Sequence, residues 1–361
     1  MSSPQPMRKI LARVCVLLVS LVGSAILLEG ACSVRQAWVA SGAAPVARES
    51  SHCEYDPELG WVHLPNHQVK HLYGAGLHLT TNSQRMRSAR DHTEAKPSDV
   101  YRVLCLGDSF TMGYGAGDRD TYPAWLERLT PGLEAINMGL GGYGVDQCYL
   151  WYLRDGVRFE SDVLLLAVIS DDFSRMLPKG EVADQPKPML ELVDGEPTPV
   201  NLPVPFALDA PDFGARLERT WKRLALRDYA QVRAKARQAT DRAPAGVQTP
   251  MDELAFVPVA ERILERLQEL SAERGQRFVV AFLPTEPELL GKRPRLLAEW
   301  LEPCLEERGI PLIDLWPAFK ALPPPQRQVH FALGHYSSLG NRLAATKLLE
   351  GLRALDPSVP R

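Results

Sequence analysis

From residue 102 onward, short apolar runs alternate with amphipathic stretches. Val103-Leu104-Cys105-Leu106 runs up to Gly107, and residues 120–129 then read as a helix. Ala135-Ile136-Asn137-Met138 is a second run closed by glycines, and a helix over 145–154 separates it from a third run, Val163 to Ile169. After residue 250 the alternation resumes. It predicts helices over 252–274, 293–308 and 338–355 and strands over 277–283 and 311–315. Runs that are apolar on both faces and spaced by amphipathic helices predict an α/β fold with a central parallel sheet covered on two sides. The stretch 178–250 interrupts the pattern, first with Pro and acidic residues and then with a basic helical stretch over 213–237 that carries Trp221, Leu224, Leu226 and Tyr229. An insertion of this size between two strands reads as a lid or flank.

Ahead of the alternation stands a different pattern. Residues 10–28 are almost unbroken apolar, with Arg13 near the start and only the small Ser20, Gly23 and Ser24 as interruptions. At about 1.5 Å per residue the run approaches a bilayer core, and Arg13 can carry its charge back to the interface. Arg8 and Lys9 precede the run and Glu29 follows it, which predicts a cytoplasmic tail at 1–9, a transmembrane anchor at 10–28 and everything later outside. A cleaved signal peptide would have a shorter apolar region and a small-x-small site close behind it. A lipoprotein would use Cys32, but Glu29 stands three residues before it where Leu is usual. Residues 29–98, rich in Gly, His, Asn and Pro, are expected to form a linker grading into a cap, and 99–356 the main domain with the insertion 178–250.

Composition narrows the functions. Across 361 residues, 41 Lys plus Arg against 44 Asp plus Glu give a net charge of −3, so no basic field is on offer for nucleic acid. The six cysteines include no Cys-x-x-Cys pair and no Cys/His cluster at zinc-ligand spacing, so neither a metal nor any other cofactor is expected. His63, His67 and His71 stand at i, i+4 spacing, which would face one way on a helix, but Pro65 and Asn66 break that helix and loop histidines are the expectation.

Gly107-Asp108-Ser109-Phe110-Thr111 follows the first strong strand, at the edge of a parallel sheet where ligands collect. It is no Gly-x-Ser-x-Gly elbow, because Thr111 fills the second glycine position. Together with Asn137-Met138-Gly139-Leu140-Gly141-Gly142-Tyr143-Gly144, and with His335-Tyr336-Ser337-Ser338-Leu339-Gly340 ahead of a small-residue helix, this segment resembles the blocks of the SGNH hydrolases, or GDSL-type lipases and esterases. The resemblance extends over about 55–355. Tyr55 to Trp61 and Thr81-Asn82-Ser83-Gln84 look like the lead-in of membrane-anchored bacterial members. It implies a flavodoxin-like three-layer fold, Ser109 as nucleophile, His335 as general base, and an oxyanion hole from Ser109, Gly142 and Asp171.

Two positions depart from the family pattern. Asp171, in Ser170-Asp171-Asp172-Phe173, stands where the family has an oxyanion Asn; an ionised Asp donates no hydrogen bond, while a protonated Asp171 beside Asp172, or Ser170, still can. The family's acid ahead of the histidine is replaced by Ala332 and Leu333, which leaves Asp314, His330 or a backbone carbonyl to orient His335. The implied function is hydrolysis of O-acyl esters, O-acetyl foremost, on an envelope or exported glycan or another acylated small molecule. The alternatives are an acyltransferase sharing the acyl-enzyme and a weakened glycan-binding or assembly protein. A lipase would want an apolar lid, and the charged stretch 216–242 offers none; the oligomeric state is not encoded in any motif.

Overall fold

The computed structural model describes residues 13–30, 51–177, 187–204, 255–293, 295 and 297–361. The tail 1–9, Cys32 and the basic stretch 213–237 lie outside the described residues. Residues 1–46 and 208–247 form one unit and residues 47–207 and 248–361 another. In the first, α1 (Arg13–Gly30) is an 18-residue helix of mean hydropathy 1.9 with none of it buried, long and apolar enough to cross a membrane.

The second unit holds a five-stranded, all-parallel sheet built from β5 (Tyr101–Gly107), β6 (Leu133–Gly139), β7 (Val163–Val168), β10 (Arg277–Phe282) and β11 (Leu312–Asp314). Their order is β11-β10-β7-β5-β6. Numbered along the chain this is the flavodoxin-like 2-1-3-4-5, whose ligand crevice opens between its first and third strands, here β5 and β7. Every residue of β5 and β7 is buried, as the doubly apolar runs require. Alternate side chains serve two cores. Leu104, Leu106, Leu164 and Leu166 meet α4 (Val145–Arg154) and α6 (Val257–Glu273), while Val103, Cys105, Leu165 and Ala167 meet α3 (Tyr122–Leu129) and α8 (Ser338–Leu355). Both cores hold large side chains, Trp151 and Tyr152 on one face and Tyr122 and Phe319 on the other, each buried side chain of this kind being worth about 1.5–3 kcal/mol.

Most boundaries fall within a residue or two of the pattern. Thr121 caps α3 by accepting from Ala124 N, and Ser337 caps α8 by accepting from Gly340 N. The helix read over 293–308 is different: a π turn over Leu297–Leu301 gives way to α7 (Glu302–Glu307). Pro303 has no amide hydrogen to continue an α-helical ladder across the junction.

The cap is more ordered than a linker. β1 (Cys53–Asp56) pairs with β2 (Gly60–His63), and β3 (Gln68–Val69) with β4 (Leu79–Thr80). Leu59, Trp61 and Val62 join the core on the α4 side. Arg102 is fully buried, bonds Glu134 at 2.6 Å and ties down the carbonyls of Thr93 and Glu160. Within the insertion, β8 (Leu190–Val193) and β9 (Glu196–Pro199) form a hairpin around Asp194-Gly195, whose positive φ values of 52° and 81° suit a type I′ turn.

Candidate active site

The turn from β5 into the short helix α2 (Ser109–Met112) is set by close packing. A Cβ on Gly107 would lie 2.1 Å from Thr111 Oγ1 and 2.6 Å from the Ala167 carbonyl, and one on Gly139 would lie 2.1 Å from Met112 N. Only glycine fits at either position, so α2 sits against the ends of β6 and β7 and Ser109 stands at the sheet's carboxyl edge. Asp108 caps the helix, its Oδ1 accepting from Phe110 N at 2.8 Å.

The histidine arrives from 226 residues away, on a two-residue hairpin. β12 (Phe331–Ala332) pairs with β13 (His335–Tyr336) around Leu333-Gly334, with φ values of 53° and 77°. Tyr336 anchors the hairpin by stacking on Phe319 at 4.7 Å and donating to the Pro284 carbonyl at 2.9 Å. Below it, a Cβ on Gly340 would lie 2.1 Å from the His330 carbonyl oxygen, so α8 can start there only with glycine.

His335 Nε2 lies 2.7 Å from Ser109 Oγ, and His335 Nδ1 lies 3.0 Å from the Leu333 carbonyl. A carbonyl only accepts, so Nδ1 carries the proton and Nε2 keeps the lone pair facing the serine hydroxyl, the tautomer a general base needs. The ring lies between Phe110 and Tyr114, with centroids at 4.8 and 4.5 Å. Burial lowers the His335 pKa from its ordinary 6.5, against the opposing pull of the Leu333 carbonyl and Asp108.

Arg175, which follows α5 (Ser170–Ser174), ties three segments together. Its Nη1 reaches Asp108 Oδ2 at 2.8 Å, Asp172 Oδ1 at 2.6 Å and the Tyr143 carbonyl at 3.2 Å. Asp108 Oδ2 is also 3.2 Å from Ser109 Oγ, so the guanidinium stands one carboxylate away from the hydroxyl. Burial, reinforced by Asp108, pushes the Asp172 carboxyl well above the usual range. Burial opposes the Arg175 charge, but Asp172 and Asp108 outweigh it and hold its pKa above the ordinary value. Arg175 Nε is buried without a hydrogen-bond partner among the described residues.

Gly142 sits in the turn closed by Tyr143 N bonding to the Leu140 carbonyl at 3.3 Å, with φ +78°. The cap braces this turn: Trp61 Nε1 donates to the Gly141 carbonyl at 3.1 Å, and Tyr143 OH to the Trp61 carbonyl at 2.6 Å. Asp171 is placed differently from the expectation. Both its oxygens accept from Arg293 Nη1, at 2.8 and 2.7 Å, and among the described residues no hydrogen bond links it to Ser109. A carboxylate held by a guanidinium only accepts, the case in which the residue at the family's oxyanion position offers no donor. Ser170 is also engaged, donating to Glu288 Oε1. Asp314 caps its own turn through Trp316 N at 2.8 Å and pairs with Arg295, and His330 Nδ1 bonds the Gln326 carbonyl, so neither orients His335.

Residues 105–343 match the GDSL-like lipase/acylhydrolase family. The chain belongs to that family. Among solved structures, this family member is similar to the lipase/acylhydrolase from Enterococcus faecalis, at 11% identity and a TM-score of 0.39 over 71% of this chain and 97% of that one. It is also similar to the acetyl xylan esterase AlAXEase, at 13% identity and a TM-score of 0.41 over 70% and 99%. A member of the lipolytic G-D-S-L family from Veillonella parvula DSM 2008 gives 16% identity and a TM-score of 0.37 over 70% and 97%. No curated protein matches the sequence.

The sequence reasoning missed Arg175 and the brace from Trp61, and of the groups it left open to orient His335 the structure places the Leu333 backbone carbonyl there. Arg175 carried a signal, since it stands three residues after Asp172 at the end of a one-turn helix and so reaches the same side chain. A second group also escaped it. His52, Cys53 and His63 lie close together in space, a grouping that spacing along the chain does not display.

Proposed function

We propose that this family member is a serine ester hydrolase held at a membrane by α1, with its catalytic unit outside the cytoplasm. Ser109 attacks an acyl carbonyl while His335 Nε2 takes the hydroxyl proton and then gives it to the leaving alcohol; water releases the acyl group by the same relay in reverse. The Leu333 carbonyl stands where the family keeps an acid, fixing the imidazole's tautomer and bracing the imidazolium that forms. The observation that carries this reading is the 2.7 Å contact between Ser109 Oγ and a His335 whose other nitrogen is already spoken for.

The oxyanion is received by the backbone N–H groups of Ser109 and Gly142. Asp171 is occupied by Arg293, and Arg175 acts from behind Ser109, neutralising Asp108 so that its carboxylate opposes the developing charge less. The substrate class is an O-acyl ester, O-acetyl foremost, on an envelope or exported glycan or a related small molecule, a reading supported by family membership and the apolar helix. The Asp171–Arg293 pair favours a second reading, in which lost donor strength leaves an acyltransferase with a slow hydrolytic step or a weakly active glycan-binding protein.

The test is hydrolysis of a small activated acetate ester by the full chain in detergent. Turnover that vanishes in both Ser109→Ala and His335→Ala supports the hydrolase; equal background in all three proteins favours the binder. Turnover that rises when a sugar acceptor is added points to transfer.

A further inference from the structure

The cap hairpin brings three ligating side chains to one place. In the β1–β2 pairing Cys53 stands directly opposite His63, and its Sγ lies 3.7 Å from His63 Nδ1. His52, next to Cys53, accepts from Leu64 N at 2.8 Å through its carbonyl, and its ring centroid is 5.4 Å from that of His63. One ligand atom from each of the three lies within 4.8 Å of the other two. For tetrahedral zinc, metal–nitrogen and metal–sulfur bonds of about 2.0–2.1 and 2.3 Å place nitrogen and sulfur roughly 3.6 Å apart. The Cys53–His63 pair already has that edge length, and a side-chain adjustment brings in His52.

Two further observations point to a ligand. His52 is fully buried, and its Nε2 has no hydrogen-bond partner among the described residues, an expense native interiors rarely carry. His63 Nε2 meets the Gly139 carbonyl at 3.4 Å, so it carries the proton and the Nδ1 lone pair faces Cys53. That is the outer-shell arrangement typical of metal-bound histidine. The cationic group facing the two histidine rings, Arg87, is paired with Asp118 at 3.3 Å.

We propose that His52, Cys53 and His63 bind one divalent cation of zinc's class, with water as the fourth ligand. Two imidazoles and a thiolate select a borderline-soft ion over calcium or magnesium. The metal is structural: it pins β1 to β2 and, through His63 and Gly139, steadies the strand end that leads into the Gly142 turn. Nothing in this depends on the ester-hydrolase reading.

The experiment uses the full chain in detergent, stripped with a chelator and titrated with cobalt(II) and then zinc(II). One cobalt per chain is expected, with a thiolate-to-cobalt charge-transfer band in the near ultraviolet that zinc abolishes. Cys53→Ser is expected to lose the band and to weaken zinc binding beyond the about 10- to 100-fold typical of outer-shell losses. Zinc is expected to raise the melting temperature of the parent chain and leave that of Cys53→Ser unmoved. A parent chain with intact circular dichroism and no cobalt band overturns the proposal, whatever the variants do. A band that persists undiminished in Cys53→Ser overturns it too, by placing the thiolate elsewhere.

Discussion

The two halves of the Ser109–His335 contact are supported by opposite means. On the serine side the support is ionic and buried: Asp108 is fully buried and Asp172 almost so, and Arg175 joins both. On the histidine side it is neutral and main-chain, a carbonyl at the exposed tip of a hairpin with aromatic rings packed behind the imidazole. Charge is therefore concentrated on the serine side of the contact, where Asp108 lies 3.2 Å from Ser109 Oγ, and the imidazole's far nitrogen meets only a neutral carbonyl. Moving the family's acid off the histidine leaves burial to dominate its pKa, and the base becomes weaker than one paired with a carboxylate.

The hardest break of this comparison is to remove either partner of the contact. Ser109→Ala and His335→Ala are each expected to lower kcat by about 10⁴- to 10⁶-fold in the ester assay with the fold retained by circular dichroism. A variant that keeps more than a tenth of the parent rate would dissolve the pairing as the seat of the chemistry.

The ionic side is next. Arg175→Gln leaves two buried carboxylates without their cation, and is expected to cost about 3–5 kcal/mol in urea unfolding. It should also lower kcat by about 10²-fold, because Asp108 beside Ser109 loses the cation that positions and neutralises it. Arg175→Lys should recover charge but not the three-way geometry, restoring kcat in part. If stability falls while kcat holds in the fraction that stays folded, Arg175 only builds the site.

Asp171→Asn removes a negative charge and restores a donor at the family's position. It is expected to raise kcat by about tenfold, less than a full donor's worth because the residue must first leave its Arg293 environment. A fall in kcat would show that the Asp171–Arg293 pair serves the reaction as it stands.

The smallest effect concerns pH. Activity requires neutral His335, so kcat/KM should rise with pH through an acid limb centred below the ordinary 6.5, because burial lowers that pKa. Leu333→Asp puts a carboxylate near the ring, which favours the imidazolium, and should move the limb upward by about one pH unit. An acid limb above 6.5 in the parent chain would reveal an acid acting on His335 after all.

The sheet was legible because buried parallel strands are apolar on both faces, and the run Val163 to Ile169 cannot be mistaken for an amphipathic element. The turns that carry Ser109 and Gly142 were legible through glycines that close packing or a left-handed conformation enforces. The cap was not, since β3 and β4 are two residues each and show no period. The β8–β9 hairpin did carry a readable signal in Asp194-Gly195, a dipeptide suited to a type I′ turn, which the Pro-rich surroundings masked. What orients His335 was unreadable in principle, because a carbonyl is common to every residue and only the fold decides where it points. The ion pair that claims Asp171 joins residues 122 positions apart, beyond any local pattern.

The Leu333-Gly334 turn has an implication for how such a site changes over generations. A triad acid can be deleted by one codon, whereas a peptide oxygen survives any replacement of its side chain as long as the bend keeps its handedness. What is inherited at this end of the relay is a backbone shape, and sequence surveys that score identities will undercount proteins built this way.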